Sequence, residues 1–157
     1  MWHLIWGGVF ERFPEMRFCV TENGAWWVPE MVQRMDMKYE GSHATERFGD
    51  AFTRHLPLKP SEYFARNVRI GASVMARKEV ALRHEIGVGV LMWGNDYPHH
   101  EGTWPHTVEA MESTFVDVPE DEARAMVGLT AAETYRLDLD ALAPIVERVG
   151  PASVGVT

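Results

Sequence analysis

Apolar and polar positions along this chain follow two alternating periods, and the switches between them mark out strand, turn and helix. Leu4 to Phe13 is apolar with Gly7 and Gly8 at its centre, which predicts one buried helix packed closely on a neighbour and closed by Pro14. Met16 to Val20 is too apolar for a half-exposed strand and reads as a short buried one, ending at the polar turn Thr21-Glu22-Asn23-Gly24. Val28, Met31, Val32, Met35 and Tyr39 then recur at helical spacing, with Pro29 suited to the first turn. Residues 41–60 show no clean period and hold Gly41, Gly49, Pro57 and Pro60, so a loop or lid insertion is expected there.

The second half repeats the scheme. Ser61 to Arg66 makes a short helix, and Val68, Ile70, Ala72 and Val74 alternate as a strand does. Ala76 to Glu85 is rich in helix formers and predicts a single helix stopped by Gly87 and Gly89. Val90 to Trp93 is a third buried strand, which runs into Gly94-Asn95-Asp96-Tyr97-Pro98-His99-His100. Helices follow over 105–115 and 119–127, the latter with Gly128 as its C-terminal stop. Thr130 and Glu133 form a capping box for the next helix, 140–149 is the last, and 151–157 is a flexible tail. Strands alternating with helices imply an α/β fold with parallel pairing, built by residues 1–150 as one unit. Three to four strands in 157 residues cannot close an eight-stranded barrel, which takes roughly 250.

Charge narrows the partners. The net charge is −8, and residues 101–147 concentrate it, with eleven acids against Arg124 and Arg136. No basic stripe exists to neutralise phosphates, so nucleic acid is not an expected partner. The acidic third reads most simply as a solvated helical face. No uninterrupted apolar run approaches the roughly 18 residues of a membrane span, so no membrane partner is expected. The single cysteine, Cys19, leaves no disulfide framework and no thiolate zinc site, which fits a cytoplasmic setting.

In parallel α/β folds the chemistry collects at the C-terminal ends of strands. Two such ends are chemically loaded. Asp96 follows an apolar strand and reads as a metal ligand or general base, or else as a cap of the following turn. Glu22 mirrors it after the first strand, with helix capping as its alternative role. His99, His100 and His106 lie close to Asp96 in sequence and could ligate, orient or protonate, although none shows a zinc-site spacing. Trp26, Trp27 and Trp104 could line an apolar substrate wall or simply pack.

Gly94-Asn95-Asp96-Tyr97-Pro98-His99 resembles the G-[ST]-D-[YF]-P-H strand end of the amidohydrolase-related family that includes aminocarboxymuconate-semialdehyde decarboxylase. Gly7-Gly8-Val9-Phe10-Glu11-Arg12-Phe13-Pro14 with Met16 to Val20 is similar to the segment these proteins carry before their fifth strand. Val118 to Ala123 and Thr130 to Leu137 resemble their closing helices. The likeness covers nearly the whole chain but only the second half of the family's barrel.

The resemblance implies the C-terminal part of a TIM-like (β/α)8 barrel, a divalent metal with zinc foremost, and a small-molecule substrate that is hydrolysed or decarboxylated. It gives Asp96 the role of metal ligand or general base. It sets Glu22 where many members have a substrate-polarising histidine, and it makes Trp26, Trp27, Tyr97, His99, His100 and Trp104 candidate substrate contacts. The family's first-strand histidine pair and mid-barrel histidine have no counterpart in spacing among the seven histidines here, so those ligands are expected in an N-terminal half. With Asp96 alone placed, the chain by itself is expected to bind metal weakly or not at all. The alternative function is an inactive half-barrel that self-associates. Open strand edges predict a homo-oligomer, or pairing with the missing half, through the inner sheet face and Leu4, Ile5, Trp6 and Phe10.

Overall fold

The computed structural model describes residues 1–44 and 54–150. In chain order the elements are α1 (Trp2–Trp6), α2 (Val9–Arg12), β1 (Phe18–Thr21), α3 (Val28–Ala44), α4 (Pro60–Asn67), β2 (Val68–Gly71), α5 (Arg77–Ala81), α6 (Arg83–Ile86) and β3 (Leu91–Met92). A purely helical end follows: α7 (Thr107–Phe115), α8 (Glu120–Arg124), α9 (Thr130–Tyr135) and α10 (Leu139–Val149). The strands form one parallel sheet in the order β1-β2-β3, with Phe18 opposite Val68 and Ile70 opposite Leu91. Helices fill both crossovers, as parallel pairing requires.

The expected strands are present, but β1, expected to be buried, is only half-buried and ends exposed at Thr21, whereas β2 and β3 are enclosed. Val68, Ile70 and Ala72 are buried, but so is Arg69 between them, so the alternation does not mark a solvated face. Arg69 turns its Nη1 onto the carbonyls of Ala65, Arg66 and Val68, which places a cation at the negative C-terminal end of α4. Burial, with Arg17 nearby, pulls its pKa below the ordinary value.

Helices and strands share one core. Ile5, Phe10, Met35, Tyr63, Phe64, Ile70 and Leu91 are fully or almost fully enclosed and belong to a single apolar cluster. α4 is its anchor. The Tyr63 hydroxyl donates to Glu11 Oε2 at 2.8 Å, Arg66 donates to the Phe10 carbonyl at 2.6 Å, and Asn67 donates to the carbonyls of Pro14 and Met16. These bonds fix the chain that leads into β1. Ser61 binds Asp36 through both its amide and its hydroxyl and so ties α4 to α3.

Several expectations are corrected. The helix over 4–13 is two helices, because Gly8 takes the left-handed conformation (φ 68°) and breaks the run. Ile5 and Phe10, expected at an oligomer interface, are fully buried in the core and cannot serve one. The helix over 76–85 is split at Leu82 into α5 and α6. Residues 41–44 of the expected loop belong to α3, 45–53 lie outside the described residues, and so does the 151–157 tail. Gly128 stops nothing: it lies in a π-helical stretch, Ala125–Leu129, that joins α8 to α9 without interruption. Thr130 is therefore helical (φ −61°, ψ −40°) and caps nothing. The real cap is Asp138, whose side chain accepts the Ala141 amide at 3.0 Å at the start of α10.

Candidate active site at the strand ends

Both acidic turns lie at the C-terminal end of the sheet. Thr21 ends β1, and Glu22 follows with φ 53°. Met92 ends β3, and Asp96 follows four residues on with φ 57°. β2 separates them, so the strands that carry the two turns run roughly 10 Å apart in the sheet.

The Asp96 turn is the more closely built. Gly94 admits no side chain, since a Cβ there would come within 2.4 Å of the Ala72 carbonyl oxygen of β2's continuation. Asn95 closes the turn from both sides: its Oδ1 accepts the Tyr97 amide at 3.2 Å and its carbonyl accepts the Thr103 amide at 2.9 Å. The His99 amide donates to the Asp96 carbonyl at 2.8 Å, and the Gly102 amide to the His99 carbonyl at 3.1 Å. Only glycine fits at 102, where a Cβ would meet the carbonyl oxygens of Asn95, Asp96 and His99 at 3.0 Å or less. The result is a loop folded around the Asp96 carboxylate, whose side chain is only 10 % exposed.

This folding brings three donors together. Asp96 Oδ1 lies 3.2 Å from His99 Nδ1, and ligand atoms of Asp96, His99 and Glu101 all lie within 4.8 Å of one another. Two carboxylates and one imidazole form a mixed oxygen and nitrogen set that suits a divalent ion such as manganese or zinc. The residues present therefore fit the metal that the strand-end motif implies. The sequence pattern exposed Asp96 and His99 but not Glu101, because Asp-x-x-His-x-Glu matches no ligand spacing and converges only through the turn.

The remaining candidates divide. Tyr97 and Trp104 meet edge to face, ring centres 5.7 Å apart, and both are largely exposed, so they form an apolar surface beside the cluster. His100 pairs with Glu101 at 2.8 Å and is not among the converging ligand atoms. His106 sits ahead of α7 near Glu109, at 3.7 Å. At the other turn, Trp26 is exposed, whereas Trp27 is half-buried and donates its indole N–H to the Gly24 carbonyl. Glu22 is exposed, and its amide donates to the Gly71 carbonyl at 3.1 Å. The buried Glu79 was not legible in advance: its carboxylate accepts the amides of Ala25 and Ala76, and with alanine at the cap position the sequence carries no capping signal. Among the described residues, no helix is long and apolar enough to cross a membrane.

Comparison with known proteins agrees with the fold. A family model described as amidohydrolase matches residues 3–137. The structure of 5-carboxyvanillate decarboxylase LigW from Sphingomonas paucimobilis is similar at 25% identity and a TM-score of 0.64, over 86% of this chain and 38% of that one. An amidohydrolase from Mycobacterium avium subsp. paratuberculosis is similar at 24% identity and a TM-score of 0.64, over 83% of this chain and 31% of its own. The 5-carboxyvanillate decarboxylase of Novosphingobium aromaticivorans, complexed with manganese and 4-hydroxy-3-methoxy-5-nitrobenzoic acid, shares the fold at 20% identity and a TM-score of 0.64, over 86% of this chain and 37% of that chain. No curated protein matches the chain. The chain thus spans less than two fifths of the length of these structural relatives, and its three parallel strands with their helices are part of a TIM-type barrel. By the extent of the matched segment, this chain belongs to the amidohydrolase family.

Proposed function

We propose that this chain carries the strand-end metal and substrate elements of a divalent-metal-dependent enzyme acting on a small carboxylic acid, with decarboxylation as the reaction. The observation that carries the reading is the convergence of Asp96, His99 and Glu101 at the end of β3. These three residues would hold the ion. When bound, a divalent cation supplies the positive charge that draws and polarises an anionic substrate. The need for it is visible in the rim itself: Glu22, Asp96 and Glu101 are all acidic, and a carboxylate substrate would otherwise be repelled.

The chain's own groups do the rest. The edge-to-face pair Tyr97 and Trp104 offers a flat apolar surface to a ring or unsaturated chain, and Trp26 offers another beside Glu22. Glu22, across β2, faces the same end and can accept a hydrogen bond from a substrate hydroxyl. The preference for decarboxylation over hydrolysis is supported by the named activity of the relative at 25% identity. The test is a manganese titration by calorimetry, followed by carbon dioxide release from a panel of aromatic acids with manganese present. Saturable binding lost in Asp96→Asn, with release from at least one acid, supports the reading. Binding unaffected by that substitution overturns it.

A second reading rests on the sheet. Among the described residues β1 and β3 each have one unpaired edge, the situation that recruits further strands. In this reading the chain completes its barrel with a separate N-terminal half or with another copy, and is inactive alone. Light scattering at micromolar concentration distinguishes a 17.8 kDa monomer from an assembly.

A further inference from the structure

We infer that Glu79 is a positioning residue, a buried clamp that holds the Glu22 turn against β2 and α5. The inference rests on the reading of the strand-end rim as the functional site. Glu79 stands on α5, after β2, and is 2 % exposed. Its two oxygens are divided between two loops. Oε2 accepts the Ala76 amide at 3.1 Å, which caps its own helix, while Oε1 accepts the Ala25 amide at 2.5 Å, in the turn that follows β1.

The second bond has no helical purpose. It spans 54 residues and fixes the back of the loop that carries Glu22, Trp26 and Trp27. The front is fixed separately, by the Glu22 amide on the Gly71 carbonyl at 3.1 Å. Glu22 therefore lies between two anchors, one on β2 and one on α5. Gly24 belongs to the same device. A Cβ there would lie 2.5 Å from Glu79 Oε1, so the carboxylate reaches Ala25 only because position 24 has no side chain. The Gly24 carbonyl in turn accepts the Trp27 indole N–H, which carries the constraint to Trp27. A charged acceptor bonded to two amides is among the stronger hydrogen-bonding arrangements, and removal leaves the Ala25 donor unpaired in a buried place and the Ala76 donor in a part-buried one.

Hydrogen exchange of the whole chain, resolved to residues 22–27, 77–81 and the three strands, tests the clamp against a simple helix cap. In Glu79→Ala the amides of 22–27 are expected to exchange at least about tenfold faster, and the strands to change no more than the molecule as a whole. Glu79→Gln keeps one acceptor oxygen and serves if the alanine variant does not fold. In that variant the Ala25 amide proton is expected to move upfield in the NMR spectrum. Loosening confined to 77–81, with 22–27 and the Ala25 resonance as in the unsubstituted chain, would reduce Glu79 to a cap and overturn the inference. A manganese titration of Glu79→Gln separates the two readings: unchanged binding with a loosened 22–27 segment supports the clamp. Failure of the unsubstituted chain to bind manganese would count against the metal site alone and leave the exchange result standing.

Discussion

The turns after β1 and β3 begin alike and end differently. Each follows a parallel strand, and each sets an acid in the left-handed region, Glu22 at φ 53° and Asp96 at φ 57°. The Asp96 turn is held from within, by Asn95, Gly94, Gly102 and Thr103, and encloses its carboxylate. The Glu22 turn leaves its carboxylate in solvent and takes its order from outside, from Gly71 and Glu79. A strand end thus makes an acid available, but only the local turn decides whether that acid meets other donors. Asp96 has His99 and Glu101 beside it, whereas Glu22 faces open solvent.

The largest effect expected from this contrast is on cation affinity. Asp96→Asn keeps a residue tolerant of the left-handed region and removes one charge, and it should weaken manganese binding at least about 100-fold by calorimetry. Glu22→Gln should leave that affinity within about threefold; an equal loss in both variants would erase the distinction between the turns.

Next comes packing. Gly94→Ala drives a methyl group against the backbone oxygen of Ala72 and should cost about 3 kcal/mol in urea unfolding. Gly24→Ala brings a methyl group within 2.5 Å of Glu79 Oε1 and 3.1 Å of the Trp26 ring, so it pushes side chains rather than backbone, displaces the carboxylate from Ala25, and should cost about 2 kcal/mol. A reversed order would show that the Glu22 turn, not the Asp96 turn, is the rigid one.

A probe remote from both turns fixes the scale. Burial first, and the bond to Glu11 second, push the Tyr63 hydroxyl up to about 12 from the ordinary 10.0. Its contribution, about 2–3 kcal/mol, is whole below pH 10 and is lost as pH climbs through 12. Unfolding free energy measured from pH 9 to 12 should fall along that range, and Tyr63→Phe should remove this part of the fall. If the slope survives the substitution, another group causes it. The smallest effect belongs to the apolar surface, where Trp104→Ala removes one edge-to-face pair and should cost about 1 kcal/mol in thermal unfolding.

What could be read in the sequence follows the range of the signal. β1 and β3 showed themselves as short apolar runs, β2 as an alternation and α3 as a 3.6-residue period, because each packs apolar positions on the common core. The family was legible at Gly94 to His99, because the residues there act locally, with glycine allowing close approach, asparagine closing the turn and aspartate standing at the rim. Glu79 was not legible, since its partner Ala25 lies 54 residues away and offers only a backbone amide, which almost every residue has. Glu101 was hidden because only the fold of the 94–103 loop turns it toward Asp96. Gly8 and Gly128 show the ambiguity of glycine from the other side. Gly8 breaks a helix that its apolar neighbours suggested, and Gly128 sits inside one that it was expected to end.

The π-helical stretch at 125–129 has an evolutionary consequence. It amounts to one residue more than a regular helix would use, and the surplus leaves the Met126 carbonyl to accept the Trp93 amide at 2.8 Å, just past the end of β3. Loss of a single codon there would restore a regular helix at no cost to its own ladder. It would also swing α9 by roughly 100° about its axis and take the Met126 carbonyl away from Trp93. The reading frame of this helix is therefore constrained by a strand more than thirty residues upstream, and insertions or deletions should be tolerated on either side of the stretch more readily than within it.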